Sequence, residues 1–159
     1  MAGLIDRMVR ASKLDVSVYE EVEHDKGAMG QAAAVVVISS VAAGIGSLGV
    51  FGIEGLLFIT VGALVGWLVW AYLTFIIGTK LLPEPQTKAD MGEMLRTLGF
   101  SSSPGVLRIL GVIPVVGGII NFVVGIWMRV AMIIAVRQAL DYKSTWRAVG
   151  VCLIGFIIY

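Results

Sequence analysis

The residue types that ordinarily carry chemistry are scarce in this chain, and their spacing does not bring them together. There is one histidine, His24, and one cysteine, Cys152. A single histidine cannot form a His-based metal site, and a single cysteine excludes an internal disulfide or a thiolate cluster for zinc or iron–sulfur. Cys152 lies in a late apolar run, where packing is its expected role. The sequence has no phosphate-cradling loop, no Ser/His/Asp set and no pair of carboxylates within an apolar run. A membrane protease built on a Ser–His dyad, or a haem held by histidine, would need a histidine inside a span, and His24 precedes the first. Neither an enzymatic activity nor a cofactor or metal is expected.

The charged residue that stands out is Arg129, inside the apolar run from Leu107 to Leu140. An arginine at the centre of a membrane helix costs from about 3 kcal/mol on insertion scales to far more in simulation, and marks a functional site by default. The chemistry would be that of an anion, lipid-headgroup or ion-pathway site. The structural alternative is a hydrogen-bond hub joining helices, or a contact to another subunit. Candidate partners are Asn121 on the same helix, Glu54 at the outer end of the second span, and backbone carbonyls freed near Pro114. Arg129 is expected near mid-membrane, while Arg108, closer to the cytoplasmic end, can snorkel.

The elements that must position these residues are membrane helices. The hydrophobic share is 58%, the charged share 14% and the mean hydropathy +0.93, outside the range of soluble domains. The 159 residues leave room for one domain. No nucleic-acid partner is expected; the partners implied are membrane lipids and other membrane protein subunits.

An N-terminal segment, residues 1–27, precedes a transmembrane domain over 28–159. In it, Leu4, Ile5, Met8 and Val9 form the apolar face of a short amphipathic helix, opposite Asp6, Arg7, Arg10 and Lys13. That face lies on the membrane or packs against the protein's own helices. Ser17 and Glu20 have capping-box spacing for a second short helix. Its acidic residues Glu20, Glu21, Glu23 and Asp25 read as a solvated face.

The first span runs from about Ala28 to Val50. Its small residues recur four apart (Gly30 and Ala34, Ser40 and Gly44, Ala42 and Gly46), which lets helix backbones approach closely. A tight turn around Gly49–Gly52 leads to a second span, about Gly55 to Gly78, carrying the pair Gly62 and Gly66. After a polar loop, Asp90 and Glu93 cap an amphipathic interfacial helix with Met91, Met94, Leu95 and Leu98 on one face. Leu4, Met8, Met91, Met94 and Leu95 are the candidate interfacial or partner-binding residues. Ser103 and Pro104 open the next helix.

A single helix from Leu107 to Val136 would be about 45 Å long, beyond a hydrocarbon core of roughly 30 Å. Pro114 and Gly117-Gly118 offer a place to reverse, giving a short third span, which either thins the bilayer locally or is partly re-entrant, and a full fourth. With that reversal, five spans put Arg7, Arg10, Lys13, Lys26, Lys80, Lys88, Arg96, Arg137, Lys143 and Arg147 on one side. The positive-inside rule makes that side cytoplasmic. The fifth span, from Trp146 to Tyr159, is short of the ~20 apolar residues a span needs, so the natural chain is expected to continue.

Several stretches resemble the bacterial branch of the Yip (Ypt/Rab-interacting protein) membrane-domain family. They are Val18-Tyr19-Glu20-Glu21 through Gly30-Gln31-Ala32, then Leu95-Arg96-Thr97-Leu98-Gly99-Phe100 with Pro104, then Val136-Arg137-Gln138-Ala139-Leu140-Asp141-Tyr142, with Ile126-Trp127 between. The resemblance spans the chain from about Asp15. It implies an all-α, multi-pass transmembrane helical bundle of five spans with a cytoplasmic N-terminus. Eukaryotic relatives bind prenylated Rab GTPases and act in vesicle traffic and membrane shaping. This chain lacks their Asp-Leu-Tyr-Gly-Pro type of N-terminal motif, so Rab GTPase binding is not carried over.

The function expected from these readings is that of a non-enzymatic membrane scaffold or accessory subunit, energy-transducing complexes included. The alternatives are a small transporter or channel centred on Arg129, and membrane shaping through the two amphipathic helices. A bacterial cytoplasmic membrane is the expected location.

Overall fold

A computed structural model of the chain describes residues 3–159, so the first two residues of the N-terminal segment lie outside the described part. Among the described residues every regular element is helical. In order they are α1 (Leu4–Ser12), α2 (Val16–His24), α3 (Met29–Gly46), α4 (Leu48–Ile76), α5 (Met91–Ser101), α6 (Gly117–Ala139) and α7 (Thr145–Ile158). A 3-10 turn, Lys26–Ala28, leads into α3, a π-turn, Ile77–Leu81, extends α4, and Ser103–Val112 is a 3-10 helix of ten residues. Lys26–Gly46, Leu48–Leu81 and Gly117–Ala139 are long and apolar enough to cross a membrane, and Thr145–Ile158 is a shorter apolar helix. The all-α, multi-pass architecture expected from composition is the one observed.

The N-terminal helices turn on different residues from those the sequence suggested. The inward stripe of α1 is Leu4, Arg7, Met8 and Ala11, the i, i+3, i+4, i+7 spacing of one helix face, while Ile5 and Val9 are exposed. The cap of α2 is Asp15, not Ser17: the Asp15 carboxylate accepts from the Ser17 amide at 2.9 Å and from the Ser17 hydroxyl at 2.6 Å. Nor is the acidic run wholly a solvated face. Arg7, its side chain 3% exposed, reaches Glu21 at 2.8 Å and Asp25 at 2.7 Å, and also donates to Gln31 at 3.0 Å. Arg10 adds Glu21 at 2.6 Å and Asp15 at 3.0 Å. Glu23 is buried. Glu21 and Asp25 of the run, with Asp15, are therefore the acidic half of an ion-pair network that clamps α1 onto α2 and the start of α3, while Glu20 keeps the exposed position expected of it.

The chain reverses between α3 and α4 where expected: α3 is capped at Ser47, one helical turn follows, and Gly52, at φ 61° and ψ −169°, breaks the helical path before the rest of α4. Close packing holds the two arms of this turn together. A Cβ on Gly44 would lie 3.1 Å from the Leu56 Cα, and Gly46 faces the Arg108 carbonyl so closely that any side chain there would collide with it.

α5 has the expected capping box: the Glu93 amide donates to Asp90 at 2.8 Å, and the Asp90 amide donates to the Glu93 carboxylate at 2.7 Å. Its stripe faces inward. Met94 is fully buried and Leu98 nearly so, with Met91 and Leu95 packed against the same core. Arg96 is buried as well and donates to the carbonyls of Val22, at 2.8 Å, and Glu23. It thereby satisfies the last turn of α2, which has no further amide to offer.

The expected reversal between Pro114 and Gly118 is present, but by a different device. Ser103–Val112 is wound as 3-10 rather than α-helix, which carries ten residues about 20 Å at ~2.0 Å per residue. Its cap is Ser102 rather than Ser103, whose hydroxyl donates to the Phe100 carbonyl at 2.6 Å. The left-handed residue of the turn is Val115, at φ 71°. Gly117 serves close approach instead, lying against the Gly111 backbone.

Candidate functional site

Asn121, Glu54 and Arg129 are not brought together. Glu54 is exposed and lines a separate hollow with Phe51, Gly55, Phe58 and Ile59. Asn121 abuts Gly111, where an added Cβ would sit 2.9 Å from its amide nitrogen. The neighbour of Arg129 is Arg108. A Cβ on Gly125 would lie 3.3 Å from Nη1 of Arg129 and 4.0 Å from Nη2 of Arg108, so both guanidinium groups converge over this glycine. Among the described residues neither arginine has a carboxylate partner.

Both arginines line a pocket of about 370 Å³ between α3, α4, α5, the 3-10 helix, α6 and α7. Its walls include Ser39 and Ser40 from α3, Trp67 and Trp70 from α4, Ser101 and Ser102 at the end of α5, Met128 from α6 and Phe156 from α7. Trp70 packs on Phe156, with ring centroids 4.6 Å apart. Three hydroxyls of the wall spend their protons on backbone carbonyls: Ser39 on Ser102 at 2.7 Å, Ser40 on Val37 at 2.9 Å and Ser101 on Leu98 at 2.7 Å. By contrast, Nε of Arg108 and Nε1 of Trp70 are buried donors with no partner. Each such orphan costs about 1–3 kcal/mol. Arg108 therefore does not snorkel free of the protein; it is half-buried against the pocket.

Arg129 lies twelve residues beyond Gly117 and ten before Ala139, yet it is exposed at the rim of the pocket rather than enclosed. Nor is its level wholly apolar. Two residues earlier, Trp127 donates its indole N–H to the Ser12 carbonyl at 2.8 Å, so α1 reaches the middle of α6. The large apolar side chains exposed on α6 are Ile119, Phe122, Val123, Ile126 and Val130, all at or before this level. The second half of α6 is sheathed by polar helices; Gln138, for example, donates to Glu20 at 3.0 Å.

The small residues expected to mediate packing divide into two groups. Gly44 and Gly46 lie at close approaches within the chain, and Gly66 faces the Tyr159 hydroxyl, 3.0 Å from where its Cβ would be. Gly30 and Gly62 have open space around them, and Ala34 is half-buried. Among the partner-binding candidates, Leu4 and Met8 pack on the core.

Outside the spans the charged groups are tuned by the ion-pair network. Burial works against the Arg7 charge, but hydrogen bonds to Asp25 and Glu21 outweigh it and hold its pKa above the ordinary value. The hydrogen bond from Arg10 keeps Glu21 below the usual carboxylate range, and that from Arg7 does the same for Asp25. Burial pushes Glu23 the other way, up to about 7, helped by Asp141 and Glu93. Across the bundle, the Tyr142 hydroxyl donates to the carbonyls of Gly78 at 3.0 Å and Leu82 at 2.7 Å, satisfying the π-turn at the end of α4.

Sequence reasoning missed Arg108 as the partner of Arg129. The four-residue spacing of Gly125 and Arg129 puts the glycine on the same helix face, under the arginine, but nothing in the sequence points from that face to Arg108.

Three apolar helices of spanning length and a polar helical hairpin sheathing one end define a multi-pass helical membrane protein. The chain belongs to the Yip1 domain family, whose family model matches residues 17–159. No curated protein and no solved structure gives a significant match.

Proposed function

We propose that the chain is a non-enzymatic scaffold or accessory subunit that binds other membrane proteins within a larger membrane assembly, energy-transducing complexes included. The observation that supports this reading is the outer face of α4. The most apolar stretch of this helix buries none of its residues within the chain. On that face Gly62 stands in open space, bordered by the exposed Phe58, Val61, Val65 and Val69. A glycine notch among large apolar side chains admits a partner helix at short axial distance, where van der Waals packing drives association in lipid. We further propose a bacterial inner membrane as the location, with the N-terminus in the cytoplasm; the orientation is supported by the positive-inside rule applied to the five-span reading of the sequence.

Purification in mild detergent after crosslinking tests the role. Associated membrane chains are expected with the wild type and are lost in Gly62→Leu, whose added side chain meets nothing inside the protein. A strictly monomeric wild type with no associated chain overturns the reading.

A further inference from the structure

We propose that the pocket framed by Arg108 and Arg129 is a binding site for a phosphate-type oxyanion. The chemistry of the wall selects the ligand. Two guanidinium groups converge over Gly125, and among the described residues no carboxylate offsets their charge. The pocket hydroxyls of Ser39, Ser40 and Ser101 already donate within the chain. The unsatisfied groups are donors, Nε of Arg108 and Nε1 of Trp70. A wall with spare donors and spare positive charge fits a ligand that only accepts. Planar guanidinium forks match the oxygen spacing of a phosphate, and two of them can share one tetrahedral group. A Cβ at position 125 would crowd the Arg129 head, and glycine leaves that point open.

The position fits a phosphate at the end of acyl chains. Arg129, at the pocket rim, is flanked on α6 by the exposed Ile126 and Val130, an apolar surface on which acyl chains can lie. A lipid headgroup and a free phosphate share the chemistry, and experiment distinguishes them. The site does not rest on the docking role proposed for α4, because it uses a different face and a different class of ligand.

The test uses the full chain in mild detergent and three probes: dihexanoyl phosphatidic acid, inorganic phosphate and dihexanoylglycerol, which has the same chains and no phosphate. Binding is followed by calorimetry and by native mass spectrometry of retained lipid. Phosphatidic acid is expected to bind the wild type and to bind the double variant Arg108→Gln/Arg129→Gln at least about tenfold more weakly. Gly125→Leu, which fills the point of convergence and keeps both charges, is expected to weaken binding similarly. Binding of phosphatidic acid alone makes a lipid headgroup the source. Binding of inorganic phosphate with the same arginine dependence makes it a free anion.

Equal binding by wild type and double variant overturns the proposal, as does equal binding of dihexanoylglycerol. A loss in the double variant without a loss in Gly125→Leu also overturns it, since that is diffuse charge attraction. A further measurement separates the site from a structural hub. Without ligand, Arg129→Gln relieves repulsion and is expected to raise Tm; a lower Tm, with no phosphate bound by the wild type, identifies a hub instead.

Discussion

Trp127 on α6 donates its indole N–H to the carbonyl oxygen of Ser12, 2.8 Å away, and so ties the end of α1 to the middle of the longest described helix after α4. This bond fixes how far polar structure follows α6 and hence the surroundings of Arg129. Trp127→Phe keeps most of the ring packing and leaves the Ser12 carbonyl without its donor. A loss of about 1 kcal/mol is expected, read as a lower Tm in detergent and faster proteolysis between α1 and α2.

Arg7 is the hub of the N-terminal clamp. Arg7→Leu leaves Glu21 and Asp25 without the buried cation they face, while Arg10 still holds Glu21. Because both carboxylates are partly solvated, the expected cost is about 2–3 kcal/mol, below the full range for a buried pair. Thermal unfolding followed by circular dichroism measures it. The lowered carboxyls of Glu21 and Asp25 add a pH signature. Their contribution is complete above the ordinary carboxylate range and is lost as the pH falls through their depressed values.

Glu23 has the opposite signature. Its carboxyl, pushed up to about 7 chiefly by burial, holds a proton more tightly in the folded chain than in the unfolded one. Stability from this group is greatest below its ordinary pKa of 4.5, falls as the pH rises from there to about 7, and is level above. Glu23→Gln is expected to gain about 1–3 kcal/mol at pH 8 and nothing at pH 4. Tm differences between variant and wild type across that range check the sign.

Val115 is a β-branched residue in the left-handed region, at φ 71°, and is 95% exposed. It gives up no packing when replaced, and glycine adopts this conformation without the Cβ penalty. Val115→Gly is expected to raise stability by up to about 1 kcal/mol after the entropy lost from the unfolded chain is subtracted. An unchanged or lower Tm contradicts this account of the turn.

Two glycines of similar sequence context are expected to respond in opposite ways. Gly46→Val drives a side chain into the Arg108 carbonyl, a backbone atom that cannot swing aside. A loss of 3 kcal/mol or about that is expected, at the upper end for overpacking, seen as poor recovery of folded protein. Gly30→Val points into open space and is expected to leave the stability within about 0.5 kcal/mol of the wild type, with Tm nearly unchanged.

The sequence by itself determined the class of this protein and the features that depend on near neighbours. Composition made it a membrane protein, Asp90 and Glu93 wrote their own capping box, and Pro114 marked the reversal; each is decided by residues within a turn or two of one another. Tertiary structure decided which side chains face one another. The spans are apolar on every side, so their periodicity does not orient them, and nothing local told Arg129 to face Arg108 rather than Asn121. Likewise the acidic run around Glu21 looks like any solvated face until α1 folds back and sets Arg7 against it. Whether a charge is solvated, paired or left to bind a ligand depends on atoms far away in the chain, and only the packed bundle supplies them.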